Sequence, residues 1–238
     1  MSTLGIIGSG SIGSAVARLA VAAGIPVVVA NSRGPQTLTG LMDELGPLAT
    51  AGTVEQAAAA GDHVVLSVPL TAVETLDPHL LDGKVVLDTT NYYPSRDGRV
   101  PRLDDGDVTC GELVQEHFPA ARLVKAFSNI VAPHVPQLAR PSGADDRTAL
   151  PIAGDDDTAK AEAAALIDRL GFLTVDAGTL ADAWRFEPES AAYTPIYLAD
   201  PSTPPERLMQ APAAPVPPSR LSRHLAAATR VDVAGRQF

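Results

Sequence analysis

Short apolar runs alternate along the chain with longer stretches whose apolar positions suit buried helices. Residues 4–8 form the first run and end in glycine. Residues 12–23, rich in Ala, Val and Leu, follow as a helix stopped by Gly24, and residues 25–30 form a second, β-branched run. Together they have the length of one strand-helix-strand unit. The alternation continues with helical stretches at 35–45 and 54–60 and strands at 63–68 and 84–88. A helix at 112–117 and a strand at 122–127 come next, and continuous Val/Leu runs of this kind fit parallel strands covered on both faces. Pro133, Pro136 and Pro141 then make a long helix unfavourable, which places the main boundary near Arg140.

One further unit follows, with strands at 149–153 and 172–176 around a helix at 157–170, whose N-terminus carries Asp155, Asp156 and Asp157. Beyond Glu187 prolines recur, among them Pro195, Pro201, Pro212 and Pro217, and regular structure is expected only as a short helix at 220–230. Tyr193, Tyr197, Leu208, Leu221 and Leu225 give this tail apolar surface to bury, against its own body or a partner subunit. The expected architecture is α/β: a doubly wound parallel sheet over 1–140, a small C-terminal βαβ lobe over 141–186, and an extended proline-rich tail over 187–238.

Charge and cysteine usage narrow the chemistry. The 238 residues carry a formal net charge of −10, which opposes nonspecific binding to nucleic acid. Cys110 is the only cysteine, so the chain forms neither an internal disulfide nor a thiolate metal cage. No metal site is expected. No apolar run approaches the roughly 18 residues needed to cross a bilayer, and the N-terminus enters a strand without a basic flank. The expectation is a cytoplasmic protein with no membrane partner.

Gly8-Ser9-Gly10-Ser11-Ile12-Gly13 matches G-x-G-x-x-G where physics requires it, after a strand and opening a helix. Gly8 permits the tight turn, Gly10 lets backbone approach a pyrophosphate, and Gly13 lets helix pack on strand. The helix N-terminus supplies N–H donors and a positive dipole end. The corner after the second strand selects the dinucleotide. An NAD-type site places a carboxylate there for the ribose 2′-hydroxyl, whereas this chain has Asn31-Ser32-Arg33. Ser32 and Arg33 suit a 2′-phosphate, so the expected cofactor is NADP(H).

Ligands of doubly wound sheets lie beyond the carboxyl ends of the strands, so the loops after the fourth and fifth strands should frame the nicotinamide. Val68 and Pro69 offer an apolar wall, and Thr89, Thr90 and Asn91 offer polar groups for ribose or carboxamide. Ser128 and Asn129, at the end of the next strand, either orient a second ring or cap a helix. No acid/base pair stands out, and the catalytic residues are not readable. Tyr92, Tyr93 and His134 are the nearby groups able to give a proton.

With these residues in view, the chain resembles the F420-dependent NADP oxidoreductase family. The likeness rests on residues 6–33, Val68-Pro69-Leu70, the block from Asp88 to Pro94, Ala153-Gly154-Asp155-Asp156 and Val175-Asp176-Ala177-Gly178. The resemblance implies hydride transfer between NADPH and the deazaflavin F420. It implies phosphate contacts at Ser9, Ser11, Ile12, Ser32 and Arg33, ring contacts at Val68, Pro69 and Leu70, and a homodimer. Related modules reduce flavins, so a flavin is a second expected acceptor. Two alternatives stand beside this reading: an NADPH-dependent reductase of a small C=O or C=N substrate, and a noncatalytic NADP-binding redox sensor, since fold and fingerprint establish binding rather than turnover.

Overall fold

A computed structural model describes residues 3–236. Strands β1 (Leu4–Ile7), β2 (Val27–Ala30), β3 (Ala49–Ala51), β4 (His63–Leu66), β5 (Val85–Asp88) and β6 (Arg122–Lys125) form one parallel sheet in the order β3-β2-β1-β4-β5-β6. The order reverses between β1 and β4, which opens a crevice beyond the carboxyl ends of those two strands. All four residues of β1 and of β5 are buried, which explains why these strands show no polar alternation before Asp88 ends β5.

Helices cover both faces of this sheet. They are α1 (Ser11–Ala22), α2 (Thr39–Leu45), α3 (Val54–Ala59), the single turns α4 (Leu70–Val73), α5 (Pro94–Asp97) and α6 (Pro101–Asp104), then α7 (Cys110–His117) and α8 (His134–Leu138). Local chemistry fixes their starts. Thr53 with Gln56, and Thr109 with Glu112, form reciprocal caps on α3 and α7, while α5 and α6 open on proline.

A second parallel sheet pairs β7 (Ala149–Ile152) with β8 (Leu173–Asp176) around α9 (Asp157–Arg169), whose N-cap Asp156 accepts from the amides of Thr158 and Ala159. An antiparallel bridge between Lys125 and Ala153 joins this sheet to the end of β6. The tail then folds back on its own chain. Three 3₁₀ turns, at Leu180–Phe186, Thr194–Tyr197 and Pro205–Arg207, lead to α10 (Pro218–Ala227). The amide of Ala149 donates to Val216 O at 2.8 Å, and the buried Tyr197 hydroxyl donates to Ala149 O at 3.1 Å.

One apolar cluster runs through all three segments marked out by the sequence: Ile6 and Val29, Ala163 and Phe172, then Tyr197 and Leu221. The proline-rich stretch is therefore packed core rather than a loose extension. No helix among the described residues is long and apolar enough to cross a membrane.

Candidate functional site

The glycine turn between β1 and α1 is built as the spacing requires. Gly8 has φ +108°, and a Cβ there would meet Ser67 O at 2.0 Å, so only glycine fits. A Cβ on Gly13 would fall 1.9 Å from Gly8 O, whereas one on Gly10 would meet nothing within 4 Å. The second glycine therefore faces open space, the room a pyrophosphate needs. Gly10 caps α1 without any side-chain hydrogen bond, and the first turn holds no acid, so the leading amides of a 12-residue helix face that space.

Asn31 fixes the corner after β2 to this turn. Its amide nitrogen donates to Ser9 Oγ at 3.2 Å and to Thr37 Oγ1 at 3.0 Å, and its oxygen accepts from the Arg33 amide at 2.9 Å. Sequence reasoning places Asn31 on the cofactor; the structure gives it this positioning role. Ser32 and Arg33 are exposed beside it, and no described carboxylate pairs with the Arg33 guanidinium.

These groups share one cleft of about 290 Å³. Gly8, Ser9, Gly10, Asn31, Ser32 and Arg33 bring polar groups to its lining, and Val54, Val68, Pro69, Ala72 and Leu76 bring apolar surface. Among the described residues, no acidic side chain lines it. Val54, Ala72 and Leu76 carried no sequence signal, since their role depends on where α3 and α4 pack.

The other expected residues are not among those lining the cleft. Ser11 is exposed at the first position of α1, and Ile12 packs partly buried against the core. Leu70 is buried in a separate apolar cluster that also holds Leu66, Val73 and Val114, and it does not line the cleft. Thr90 is turned inward: its hydroxyl meets Cys110 Sγ at 3.3 Å and accepts from Lys125 Nζ at 3.1 Å. Asn91 stays at the carboxyl end of β5, donating to Ser128 O at 2.6 Å and to the Tyr93 hydroxyl at 3.3 Å.

Beneath that loop lies a fully buried charged group. Lys125 Nζ donates to Asp88 Oδ2 at 2.9 Å and to the carbonyl of Thr90, and Asp88 and Lys125 occupy the same register step of β5 and β6. Burial opposes the charge on Lys125, but Asp88 and the neighbouring Glu187 outweigh it and hold the ammonium above its usual range. Burial pushes the Cys110 thiol up to about 12. A charged residue ending each of two adjacent apolar strands was the available sign of this pair.

Two of the three candidate proton donors serve the fold. Tyr92 is buried, donates to Asp104 at 2.9 Å and accepts from the Val100 amide at 3.0 Å. His134 is fully buried with Nε2 on Ala211 O at 2.8 Å, so it anchors the tail. Tyr93 is half-buried, with its hydroxyl 2.6 Å from that of Tyr193, a residue of the tail. Asn129, weighed as a ring contact, also holds the tail: its amide donates to Ala192 O at 2.8 Å and to the Tyr197 hydroxyl at 3.0 Å.

The family model "NADP oxidoreductase coenzyme F420-dependent" matches residues 3–92. Among solved structures, a hypothetical protein from Sinorhizobium meliloti is 34% identical with a TM-score of 0.69, over 79% of this chain and 91% of its own. A proposed F420-dependent NADP reductase from Arthrobacter sp. FB24 is 24% identical with a TM-score of 0.63, over 77% of this chain and 87% of its own. A reductive aminase from Aspergillus terreus, solved with NADPH and ethyl-5-oxohexanoate, is 21% identical with a TM-score of 0.54, over 76% of this chain and 56% of its own. The last two likenesses concern the fold alone. No curated protein matches the chain.

Proposed function

The chain belongs to the F420-dependent NADP oxidoreductase family, and from that premise we propose that it binds NADP(H) in the cleft of the glycine turn and passes hydride to or from a small organic acceptor. The observation that carries the reading is the joining of two anion-binding features in one cleft: the uncapped N-terminus of α1, and the Ser32-Arg33 corner with no carboxylate near it. The amides of α1 would hold the pyrophosphate, and Ser32 and Arg33 the 2′-phosphate. Val68 and Pro69, after β4, would give the nicotinamide ring an apolar wall, and Ala72 and Leu76 extend that dry lining. The bound cofactor supplies the hydride; the protein binds, orients and excludes water.

Family membership favours F420 or a flavin as the acceptor. The hydroxyl pair of Tyr93 and Tyr193 favours a second reading, reduction of a C=O or C=N bond, because such a bond needs a proton as well as a hydride. Calorimetric titration with NADPH, NADH and 2′,5′-ADP tests the nucleotide assignment. NADPH is expected to bind at least tenfold tighter than NADH, with 2′,5′-ADP retaining most of the advantage. Equal affinity for the two dinucleotides would remove the 2′-phosphate from the Arg33 corner.

A further inference from the structure

The carboxyl ends of β5 and β6 carry a second polar cluster that the nucleotide cleft does not use. In a doubly wound sheet the dinucleotide lies across the switch point, its adenosine half over β1-β2-β3 and its nicotinamide half over β4-β5-β6. What stands at the ends of β5 and β6 therefore faces the reacting end. Asn91 bridges the two strands there, donating to Ser128 O and to the Tyr93 hydroxyl. Asn91 Oδ1 and Ser128 Oγ are buried with no hydrogen-bond partner among the described residues. Buried polar atoms are nearly always paired, so two orphans at adjacent strand ends mark the place of a ligand group. Phe127, just before Ser128, has φ +56°, a backbone state that side-chain-bearing residues rarely adopt and that clusters at functional sites.

The tail completes this cluster. Asn129 holds Ala192 and Tyr197, and its carbonyl accepts from the Thr194 hydroxyl at 3.4 Å, so Tyr193 is pinned from both sides. Its hydroxyl then sits 2.6 Å from that of Tyr93, while the Arg96 guanidinium lies 4.8 Å from the centre of the Tyr93 ring.

We propose that this cluster is the acceptor site, that it takes a small molecule with a polarised C=N or C=O bond, and that Tyr93 is the acid that protonates the heteroatom, with Tyr193 and Asn91 as positioning residues. The inference rests on the NADP(H) reading and names what stands opposite the nicotinamide. The acceptor carbon gains the hydride, and the π electron pair of its double bond moves onto nitrogen or oxygen. The O–H bond of Tyr93 breaks and its proton joins that atom, giving amine or alcohol. The acceptor is reduced by two electrons, the nicotinamide is oxidised by two, and the Tyr93 phenolate regains a proton from water.

The surroundings fit a transient phenolate. Its oxygen would accept from Asn91 Nδ2 and from the Tyr193 hydroxyl, with Arg96 over the ring. Burial raises the Tyr193 hydroxyl well above the ordinary tyrosine range, so that residue keeps its proton beside a Tyr93 phenolate and is able to donate it there. A flavin or deazaflavin spreads its new charge over a conjugated ring; an isolated double bond needs a placed acid.

The test uses the full chain with NADPH and four probes: 2-methyl-1-pyrroline, hexanal, F420 and FMN. Wild type is expected to oxidise NADPH with the imine or the aldehyde, faster than with either ring acceptor. Tyr93→Phe should lower kcat by roughly 10²- to 10⁴-fold, the usual worth of a general acid, with the NADPH Kd from fluorescence titration within twofold of wild type. Tyr193→Phe should lower kcat with KM unmoved and enlarge the solvent deuterium isotope effect, which a residue of purely structural role would leave alone. Hexanamide, an unreactive stand-in for the carbonyl, should bind NADP-loaded wild type at least tenfold tighter than Tyr93→Phe. Turnover of F420 or FMN without either double-bond probe, no turnover of any probe by protein that binds NADPH, or unchanged kcat and hexanamide binding in Tyr93→Phe would each overturn the proposal. Wild type that fails to bind NADPH would instead remove the nucleotide reading on which it stands. Should Tyr93→Phe not fold, the probe preference of wild type alone decides the acceptor class.

Discussion

Single residues decide which dinucleotide the cleft accepts. Arg33 is exposed beside Ser32 at the corner after β2, with no described carboxylate to compete for it. Replacing it by aspartate exchanges a charge-assisted donor for a like charge, and such a bond is worth about 1.5–3 kcal/mol. Arg33→Asp should therefore weaken NADPH by roughly 10- to 100-fold or more while NADH binding changes little; equal losses in parallel titrations would place Arg33 outside the 2′-phosphate site. The glycines and this corner were legible because the motif that marks them is local: the spacing of Gly8, Gly10 and Gly13 and the missing carboxylate after β2 are read within short stretches, even though the backbone Gly8 approaches is that of Ser67. Thr90 and Tyr193 were not, because what each touches lies 35 and 100 positions away. Nothing in the run Thr89-Thr90-Asn91 says which side chain turns inward.

At the scale of elements, the meeting of β5, β6 and α7 sets how the protein responds to alkali. The Cys110 thiol, raised by burial to about 12 from an ordinary 9.0, ionises in the unfolded chain before it does in the folded one. Its contribution to stability is therefore complete below about pH 9 and is lost as pH rises from there toward 12, at up to about 1.4 kcal/mol per pH unit. Lys125, also raised, adds a loss in the same direction at still higher pH. Urea melts from pH 8 to 10.5 should show falling stability in wild type, and Cys110→Ala should flatten the slope; parallel slopes would take the thiol out of the account. The long apolar strands and capped helices were legible from period and composition. The edge strand β3 was not: it is three small residues, none fully buried, paired only through β2. A strand so short has no pattern of its own.

The molecule as a whole is closed by its tail. Ile196, Val216, Leu221 and Leu225 are buried in the common cluster, and fully burying such side chains contributes about 1.5–3 kcal/mol each against a typical total of about 5–15 kcal/mol. Truncation after Glu187 should therefore abolish cooperative folding, seen as loss of the calorimetric melting transition, rather than merely alter acceptor use. A shortened chain that melts cooperatively and still binds NADPH would show the first 187 residues to be self-sufficient. The sequence signalled that the tail had something to bury, yet its prolines concealed that the contacts are with its own body, anchored at Asn129 and His134.

The bond between Tyr93 and Tyr193 joins residues 100 positions apart, and Arg236 donates to Tyr92 O across 144. During translation the glycine turn and its corner emerge well before the opposite rim, whose Tyr193 and Arg236 lie far later in the sequence. A ribosome-bound chain thus carries every residue of the nucleotide half before Tyr193 and Arg236 leave the exit tunnel, and its cooperative folding waits for them.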